Sequence, residues 1–333
     1  MGLLQDAYLC ILQQPQTVFP RKIYGTWPGD IMEYMDAKKI VVNTGRLNYD
    51  YLACEYVMNI YWGCSHGCIY CYARSDYYDK LGNLGGNFDA VRAKRNALQI
   101  IRDDLRRKVK TGVVLSGGMS DAYNPKEREL RLTRNALELI NAYDFGACII
   151  TKSDLVTRDA DILKDIGTHS PASVNFSITC SDDETCGKVE PHVSATTKRF
   201  EAIEYLTKNG IIAGVLMDPV LPYITDTAEN VREMVKKAKA CGARYIYLSP
   251  QVTMSGGQRE YFYREAEKHY PGISDTYREK FKTYYYCRSP RAKQLWSAFA
   301  ETCEKEEMVY DMRAANQMVR SGYSFPTLSF DEL

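Results

Sequence analysis

The chain has 333 residues, 45% hydrophobic and 26% charged, a globular composition long enough to bury its own core without disulfide staples. Lys and Arg number 43 against 42 Asp and Glu, so the net charge of +1 excludes binding of polyanions through overall charge, though not through a local basic patch. Eleven cysteines are too sparse for a disulfide scaffold, their number is odd, and no apolar run reaches membrane-spanning length.

In chain order, Met1 to Gln13 lacks a basic leader before an apolar stretch, a poor signal peptide. The cytoplasm is therefore the expected compartment, and its reducing conditions suit free thiolates. Residues 1–50 carry no clean period and are expected to pack on the core as an N-terminal extension. Residues 51–250 alternate short β-rich runs with helical ones. Strands are predicted at Tyr56–Tyr61, Gly112–Ser116, Ala147–Thr151, Ser173–Ile178, Ile211–Met217 and Tyr245–Leu248. Several are apolar on both faces, as buried parallel strands are. Amphipathic stretches lie between them: Val91, Leu98, Ile101 and Leu105; Phe200, Ile203 and Leu206; Val231, Met234, Val235 and Ala238. Gly146, Gly167, Gly210 and Gly242 stand where a helix ends before a strand, and Asp226 with Glu229 flanks a helix start like a capping pair. Six β–α repeats imply an α/β fold with a parallel sheet and right-handed crossovers, open or curled into a barrel, with function at the carboxyl ends of the strands. Residues 251–333 read as a helical, tyrosine-rich C-terminal region, entered through Ser255-Gly256-Gly257.

The segment that carries chemistry is Gly63-Cys64-Ser65-His66-Gly67-Cys68-Ile69-Tyr70-Cys71-Tyr72, directly after the first predicted strand. Thiolates converging from one tight loop suit a [4Fe–4S] cluster, with Cys64, Cys68 and Cys71 on three irons and the fourth left open for substrate chemistry. Two other readings compete. A structural zinc wants four ligands, usually as two separated pairs, and no second pair exists here; a redox CxxC at Cys68 and Cys71 does not need the third cysteine.

The CxxxCxxC spacing with an aromatic residue before the last cysteine resembles the signature of the radical S-adenosylmethionine (SAM) superfamily. That resemblance implies a partial (β/α)6 TIM-like barrel, SAM bound to the open iron, and a 5′-deoxyadenosyl radical that abstracts hydrogen from a substrate. It also implies a low-potential electron donor such as flavodoxin or ferredoxin, and places Tyr70 beside the SAM adenine. Residues 55–250 further resemble the spore photoproduct lyase-like branch. The matching stretches run from Ser116-Gly117-Gly118-Met119-Ser120-Asp121 through Thr151-Lys152-Ser153, Phe176-Ser177-Ile178-Thr179 and Val189-Glu190-Pro191 to Arg199 and Met217-Asp218-Pro219. By that resemblance Gly117 and Gly118 hold the SAM amino group, Lys152 pairs with its carboxylate, and Ser177 is a further contact. Glu190 and Arg199 order the loop or reach SAM, or form a surface ion pair. Asp121 is either a ligand contact or a helix cap.

Two departures from the branch stand out. Gly118 lies where spore photoproduct lyases carry a hydrogen-donating cysteine after the second strand, which leaves Cys180, three residues past Ser177, as the candidate donor and Cys186 as a weaker one. The charge is also balanced, where a duplex-binding enzyme is basic. The expected function is hydrogen abstraction from a substrate, with a nucleobase or nucleic acid favoured by the resemblance; the alternative is a non-catalytic iron–sulfur or nucleic-acid-binding protein that keeps the fold. The remaining cysteines show no spacing for a second cluster.

Overall fold

The computed structural model describes residues 33–44, 52, 54–82 and 87–323. Most of the expected N-terminal extension therefore lies outside the described residues. Its described part supplies two short strands, β1 (Glu33–Met35) and β2 (Val41–Asn43). Further strands follow as β3 (Tyr56–Met58), β4 (Tyr61–Trp62), β5 (Arg92–Lys94), β6 (Val113–Ser116), β7 (Gly146–Thr151), β8 (Ala172–Ser177), β9 (Ile212–Met217), β10 (Tyr245–Leu248), β11 (Gln251–Thr253) and β12 (Tyr286–Arg288).

The main sheet runs β10-β9-β8-β7-β6-β3-β2. Its six strands from β3 to β10 are parallel and stand in sequence order, while β2 pairs antiparallel with β3 at the edge. Sequence order means that every crossover steps the same way around the sheet. A doubly wound sheet would reverse direction at a switch point. Stepping one way curls a twisted sheet toward a barrel, and β10 and β2 do not pair, so the barrel is partial. The α/β reading from sequence holds, and the strand order resolves the choice between open and curled.

The helices form for the reasons their periods suggest. The helix Ala228–Ala240 buries Val231, Met234, Val235 and Ala238, and Thr196–Lys208 buries Phe200, Ile203 and Leu206. Each fully buried aliphatic of this kind contributes about 1.5–3 kcal/mol relative to exposure. They pack on Ile149, Val174, Phe176, Val215 and Ile246 of the strands in one core.

Three local expectations change. The predicted strand Tyr56–Tyr61 is broken after Met58; Tyr61–Trp62 joins a separate three-stranded sheet with β5 and β1. Val91 is buried, but it precedes β5 and lies outside the helix Ala97–Arg106. The helix Ala228–Ala240 is capped by Thr227, whose side chain accepts from Asn230 N, whereas Asp226 is turned to Ser289 and Arg291.

The C-terminal region packs in two places. Leu295, Phe299 and Cys303 of the helix Ala292–Lys305 join the barrel core. Helices Gly256–Glu267 and Ile273–Phe281 build a second core with Phe262, Tyr263, Tyr277 and Phe281, and that core takes in Cys68, Ile69 and Tyr70 from the cysteine loop. The β11–β12 pair was not expected in a region read as helical. No helix among the described residues is long and apolar enough to cross a membrane.

Candidate active site

The cysteine loop leaves β4 through Gly63, whose φ of +76° is accessible to glycine; a Cβ added there would press on the Ala90 and Phe88 carbonyls. Cys64 N donates to Phe88 O at 2.8 Å, and Ser120 Oγ donates to Gly63 O at 2.5 Å. Ile69 N donates to Val189 O at 3.0 Å, and Cys71 N to Cys68 O at 3.3 Å. The loop is thus tied to β6, to the segment after β8 and to itself. Cys64, Cys68 and Cys71 all line one cavity of about 600 Å³ above the strand ends.

Burial disfavours thiolates at all three. It holds Cys68 and Cys71 above the ordinary thiol value, while at Cys64 the neighbouring His66 outweighs it and holds the thiol below. Burial likewise opposes charge on His66, but Cys64 and Asp121 raise it to about 9. No three His, Cys, Asp or Glu side chains among the described residues converge on a single ion. A cubane does not require that, because each thiolate binds its own iron. Three sulfurs on one tied loop, facing an open cavity with a lysine and bare glycine backbone, fit such a cluster and a charged ligand beside it.

The strand ends supply the other walls: Gly117, Gly118 and Asp121 after β6, Thr151 and Lys152 at β7, and Ser177 at β8. Gly117 has φ +98°, and a Cβ there would strike the Ile150 carbonyl of β7. Its lack of a side chain serves the approach of the neighbouring strand, a different reason from the ligand approach expected from sequence. Gly118 offers its carbonyl to the Tyr72 hydroxyl.

Asp121 acts as a brace. Its Oδ1 accepts from Tyr123 N and Thr151 Oγ1, each at 2.8 Å, its Oδ2 accepts from Lys152 N at 2.8 Å, and His66 Nδ1 lies 3.4 Å away. One carboxylate therefore links its own turn, the end of β7 and the cysteine loop. Neither of the two expected roles describes this fully: it caps its turn and joins three elements. Lys152 Nζ lies 5.7 Å from the Tyr70 ring centroid. Burial lowers its pKa, but Cys68 and Glu190 prevail and hold it above the ordinary value, so the side chain stays charged.

Glu190 and Arg199 do not line the cavity, and their ion pair is not on the surface. Both side chains are fully buried and lie 2.5 Å apart. Arg199 also donates to Ser177 O at 2.6 Å, to Ser194 O at 2.8 Å and to Cys186 Sγ at 2.8 Å. Glu190 Oε1 accepts from the Tyr70 hydroxyl and, at 3.2 Å, from Thr179 Oγ1. The pair thus holds Tyr70 and the end of β8 from behind.

Cys180 is also absent from the cavity wall. It is 1% exposed, its thiol points to Asp182 O at 3.6 Å, and it rests against Cys186. The candidate hydrogen donor is thus directed to Asp182 and Cys186 and does not line the cavity. Cys186 lies against Arg199, also behind the wall.

The sequence reading matched Asp218 and Pro219 to the branch without giving them a role, and it missed Tyr78, Tyr247, Ser249, Thr253, Tyr285 and Tyr286, which line the cavity with them. Burial pushes Asp218 above its ordinary value, against a Ser249 hydrogen bond and the Lys152 charge. The signal available was position: Asp218 and Ser249 each follow a parallel strand, where ligand groups gather. Tyr285 and Tyr286 arrive through the β11–β12 pairing, which no local pattern announces.

Comparison with known proteins agrees with this architecture. A spore photoproduct lyase mutant superposes with a TM-score of 0.61 at 16% identity, covering 90% of this chain and 91% of that one. Spore photoproduct lyase complexed with dinucleoside spore photoproduct gives 0.58 at 16% identity over 85% of each chain. At such identities the likeness concerns the fold. An uncharacterised protein of Mycobacterium tuberculosis (strain ATCC 25618 / H37Rv) is 27% identical over 263 residues, 78% of this chain and 77% of its own. An uncharacterised protein of Methanocaldococcus jannaschii is 34% identical over 179 residues, 54% of this chain and 65% of its own. The family model of the radical SAM superfamily matches residues 58–238, more than half of the sequence, and the chain belongs to that superfamily.

Proposed function

We propose that the protein is a hydrogen-abstracting radical SAM enzyme acting on a nucleobase within a nucleic acid. The observation that carries the chemistry is the placement of Cys64, Cys68 and Cys71 on one wall of the same cavity as Lys152, Gly117 and Ser177. When bound, a [4Fe–4S] cluster and SAM would supply a 5′-deoxyadenosyl radical. The three cysteines hold the cluster in this reading. Lys152, half-buried at the cavity wall, offers a positive charge to the SAM carboxylate, and the backbone at Gly117 and Gly118 offers polar groups to its amino end. Tyr70, fixed through its hydroxyl, lines the cavity between the second and third cysteines. An external low-potential flavodoxin or ferredoxin supplies the electron, and a reducing cytoplasm suits the thiolates.

The nucleic-acid reading is supported by a local patch that the balanced net charge conceals. From Lys280 to Ala300 the sequence contains Lys280, Lys282, Arg288, Arg291 and Lys293 and no Asp or Glu; Lys280 pairs with Glu279 and Arg291 with Asp226, so Lys282, Arg288 and Lys293 carry the excess. In the same stretch Tyr284, Tyr285, Tyr286 and Trp296 are exposed, and Tyr285 and Tyr286 reach the cavity wall. Cations that track a backbone beside rings that stack on bases are what a single strand requires.

The test is anaerobic reconstitution with iron and sulfide, reduction with dithionite, and assay of 5′-deoxyadenosine from SAM with and without single-stranded oligonucleotides. Four irons per chain and 5′-deoxyadenosine that disappears in Cys68→Ala are expected, with the yield rising on addition of oligonucleotide. Zinc without sulfide in the purified protein would overturn the chemistry. A yield that oligonucleotides leave unchanged, with no oligonucleotide retained by the protein, would overturn the substrate class alone.

A further inference from the structure

The third cluster cysteine is held from the C-terminal region as much as from the barrel, and one side chain makes the connection. Gln258 sits in the first turn of the helix Gly256–Glu267 and is 1% exposed. Its amide makes three hydrogen bonds. Oε1 accepts from Ser255 N at 3.0 Å, closing the capping box of its own helix. Nε2 donates to Thr253 O at 2.6 Å and to Tyr70 O at 3.0 Å. The orientation is fixed by these partners: a flipped amide would set its oxygen against two carbonyls and its NH2 against an N–H.

Tyr70 is consequently held at both ends. The barrel holds its hydroxyl through Glu190, and Gln258 holds its carbonyl. That carbonyl belongs to the peptide whose N–H is Cys71 N, itself donating to Cys68 O. The peptide joining Tyr70 to the third cysteine therefore has a partner on each side.

The next residues are gripped by the same helix. The Arg74 guanidinium stacks 4.1 Å from the Tyr261 ring centroid, and Asp76 Oδ1 accepts from Gly257 N at 2.9 Å. Cys64 has no such tie; its partners come from Phe88 and, through Gly63, from Ser120. One ligand thus rides on the barrel side and another on the C-terminal side, and their relative placement depends on how these two bodies dock.

We infer that Gln258 is a positioning residue for the iron–sulfur cluster, fixing Cys71 through the Tyr70 carbonyl and coupling the cluster to the C-terminal region. This rests on the cluster assignment proposed above. The Gln258 hydrogen bond also polarises the Tyr70–Cys71 peptide, and outer hydrogen bonds of this kind tune a cluster as well as orient its ligands.

The experiment uses the full-length chain, reconstituted anaerobically, with Gln258→Met and Gln258→Glu. Gln258→Met removes the donor to Tyr70 at nearly constant volume; Gln258→Glu keeps the acceptor for Ser255 N but, protonated against two carbonyls, has one O–H to share where the amide has two N–H groups. Ser255→Ala serves as the control, because it weakens the cap of the same helix and leaves the bond to Tyr70 in place. The electron paramagnetic resonance spectrum of the reduced cluster, its midpoint potential and the rate of iron loss to a chelator are measured. Gln258→Met is expected to shift the spectrum and the potential and to lose iron at least tenfold faster than the unsubstituted protein, with Gln258→Glu between the two, while Ser255→Ala lowers thermal stability and keeps the unsubstituted spectrum. A Gln258→Met protein with the unsubstituted spectrum and potential would overturn the inference, as would a Ser255→Ala protein altered as much as Gln258→Met. An unsubstituted chain that holds no cubane would overturn the cluster assignment itself and the inference with it, an outcome visible before any variant is made.

Discussion

Substituting Glu190 by Gln tests whether the buried pair behind Tyr70 is as consequential as its geometry suggests. The change preserves shape and removes one charge. Arg199 keeps its bonds to Ser177 O and Ser194 O but loses its counter-charge in a site without solvent access. Breaking a buried pair by removing one partner costs about 3–5 kcal/mol. The amide oxygen of the new residue still accepts one bond, so about 3 kcal/mol is expected. With a urea slope of about 3 kcal/mol/M, that lowers the unfolding midpoint of the cluster-free chain by about 1 M. The double variant Glu190→Gln with Arg199→Met should be less destabilised than the single one, because no charge is left stranded.

The pH dependence follows from the same pair. Burial raises the Glu190 pKa, but Arg199, Lys152 and the Tyr70 hydroxyl outweigh it, so the folded value lies below the ordinary 4.5. A carboxylate depressed on folding contributes its full stability above its unfolded pKa and loses it as pH falls through the folded value. Urea midpoints of the unsubstituted chain should therefore fall on acidification below about pH 4.5 more steeply than those of Glu190→Gln. A midpoint shift under about 0.3 M at neutral pH, or parallel acid profiles for the two proteins, would refute the reasoning.

Other expectations concern single walls of the cavity. Gly117→Ala forces a Cβ onto the Ile150 carbonyl at a φ of +98°, and a thermal melt should show a loss of stability of about 2 kcal/mol or more. Lys152→Met removes the positive charge proposed for the SAM carboxylate, and equilibrium dialysis of SAM against the reconstituted protein should show affinity reduced at least about tenfold. Cys180→Ser should leave 5′-deoxyadenosine formation and its product distribution unchanged, because the thiol lies behind the cavity wall. Tyr285→Ser with Tyr286→Ser should weaken single-stranded oligonucleotide binding by about 1–3 kcal/mol per stacked base in a fluorescence anisotropy titration, with melting temperature unaltered at these exposed positions.

What could be read from the residues follows physical range. Repeats of apolar period lie within ten residues of one another, so the five later parallel strands and the helix faces around Val231 and Ile203 were legible. The cysteine loop was legible because all its ligands fall within eight residues. Capping was half legible: Asp226 looked like a cap, but Ser289 and Arg291, more than sixty residues away, engage it and leave the cap to Thr227. The same range decides the site. Lys152 and Ser177 were found because they end strands. Glu190 and Arg199 were found as residues that could order the loop, but the burial of their pair was not legible, since burial is a property of the whole packing. That Cys180 does not line the cavity was not legible, because three residues beyond a strand end the chain can turn to either side. Gln258, Tyr285 and Tyr286 meet the cysteine loop or its cavity across more than 180 residues, and no local pattern reports that. Gly146 and Gly167 show the limit of punctuation: Gly210 and Gly242 take positive φ, as a helix-ending glycine does, but these two do not.

A sheet that does not close leaves two borders, and each is occupied here. On one side β2 runs antiparallel along β3; on the other, Val309 forms a parallel bridge with Tyr245, accepts from Ile246 N at 2.9 Å, and is followed by the helix Met312–Arg320, whose Ala315 and Val319 pack on Tyr245. An uncovered strand border is a template on which a second chain can lay its own backbone. The residues around Val309 therefore act as a guard against polymerisation. A chain shortened to end before Val309 would keep every group that lines the cavity and still be expected to associate strand to strand along the open border of β10.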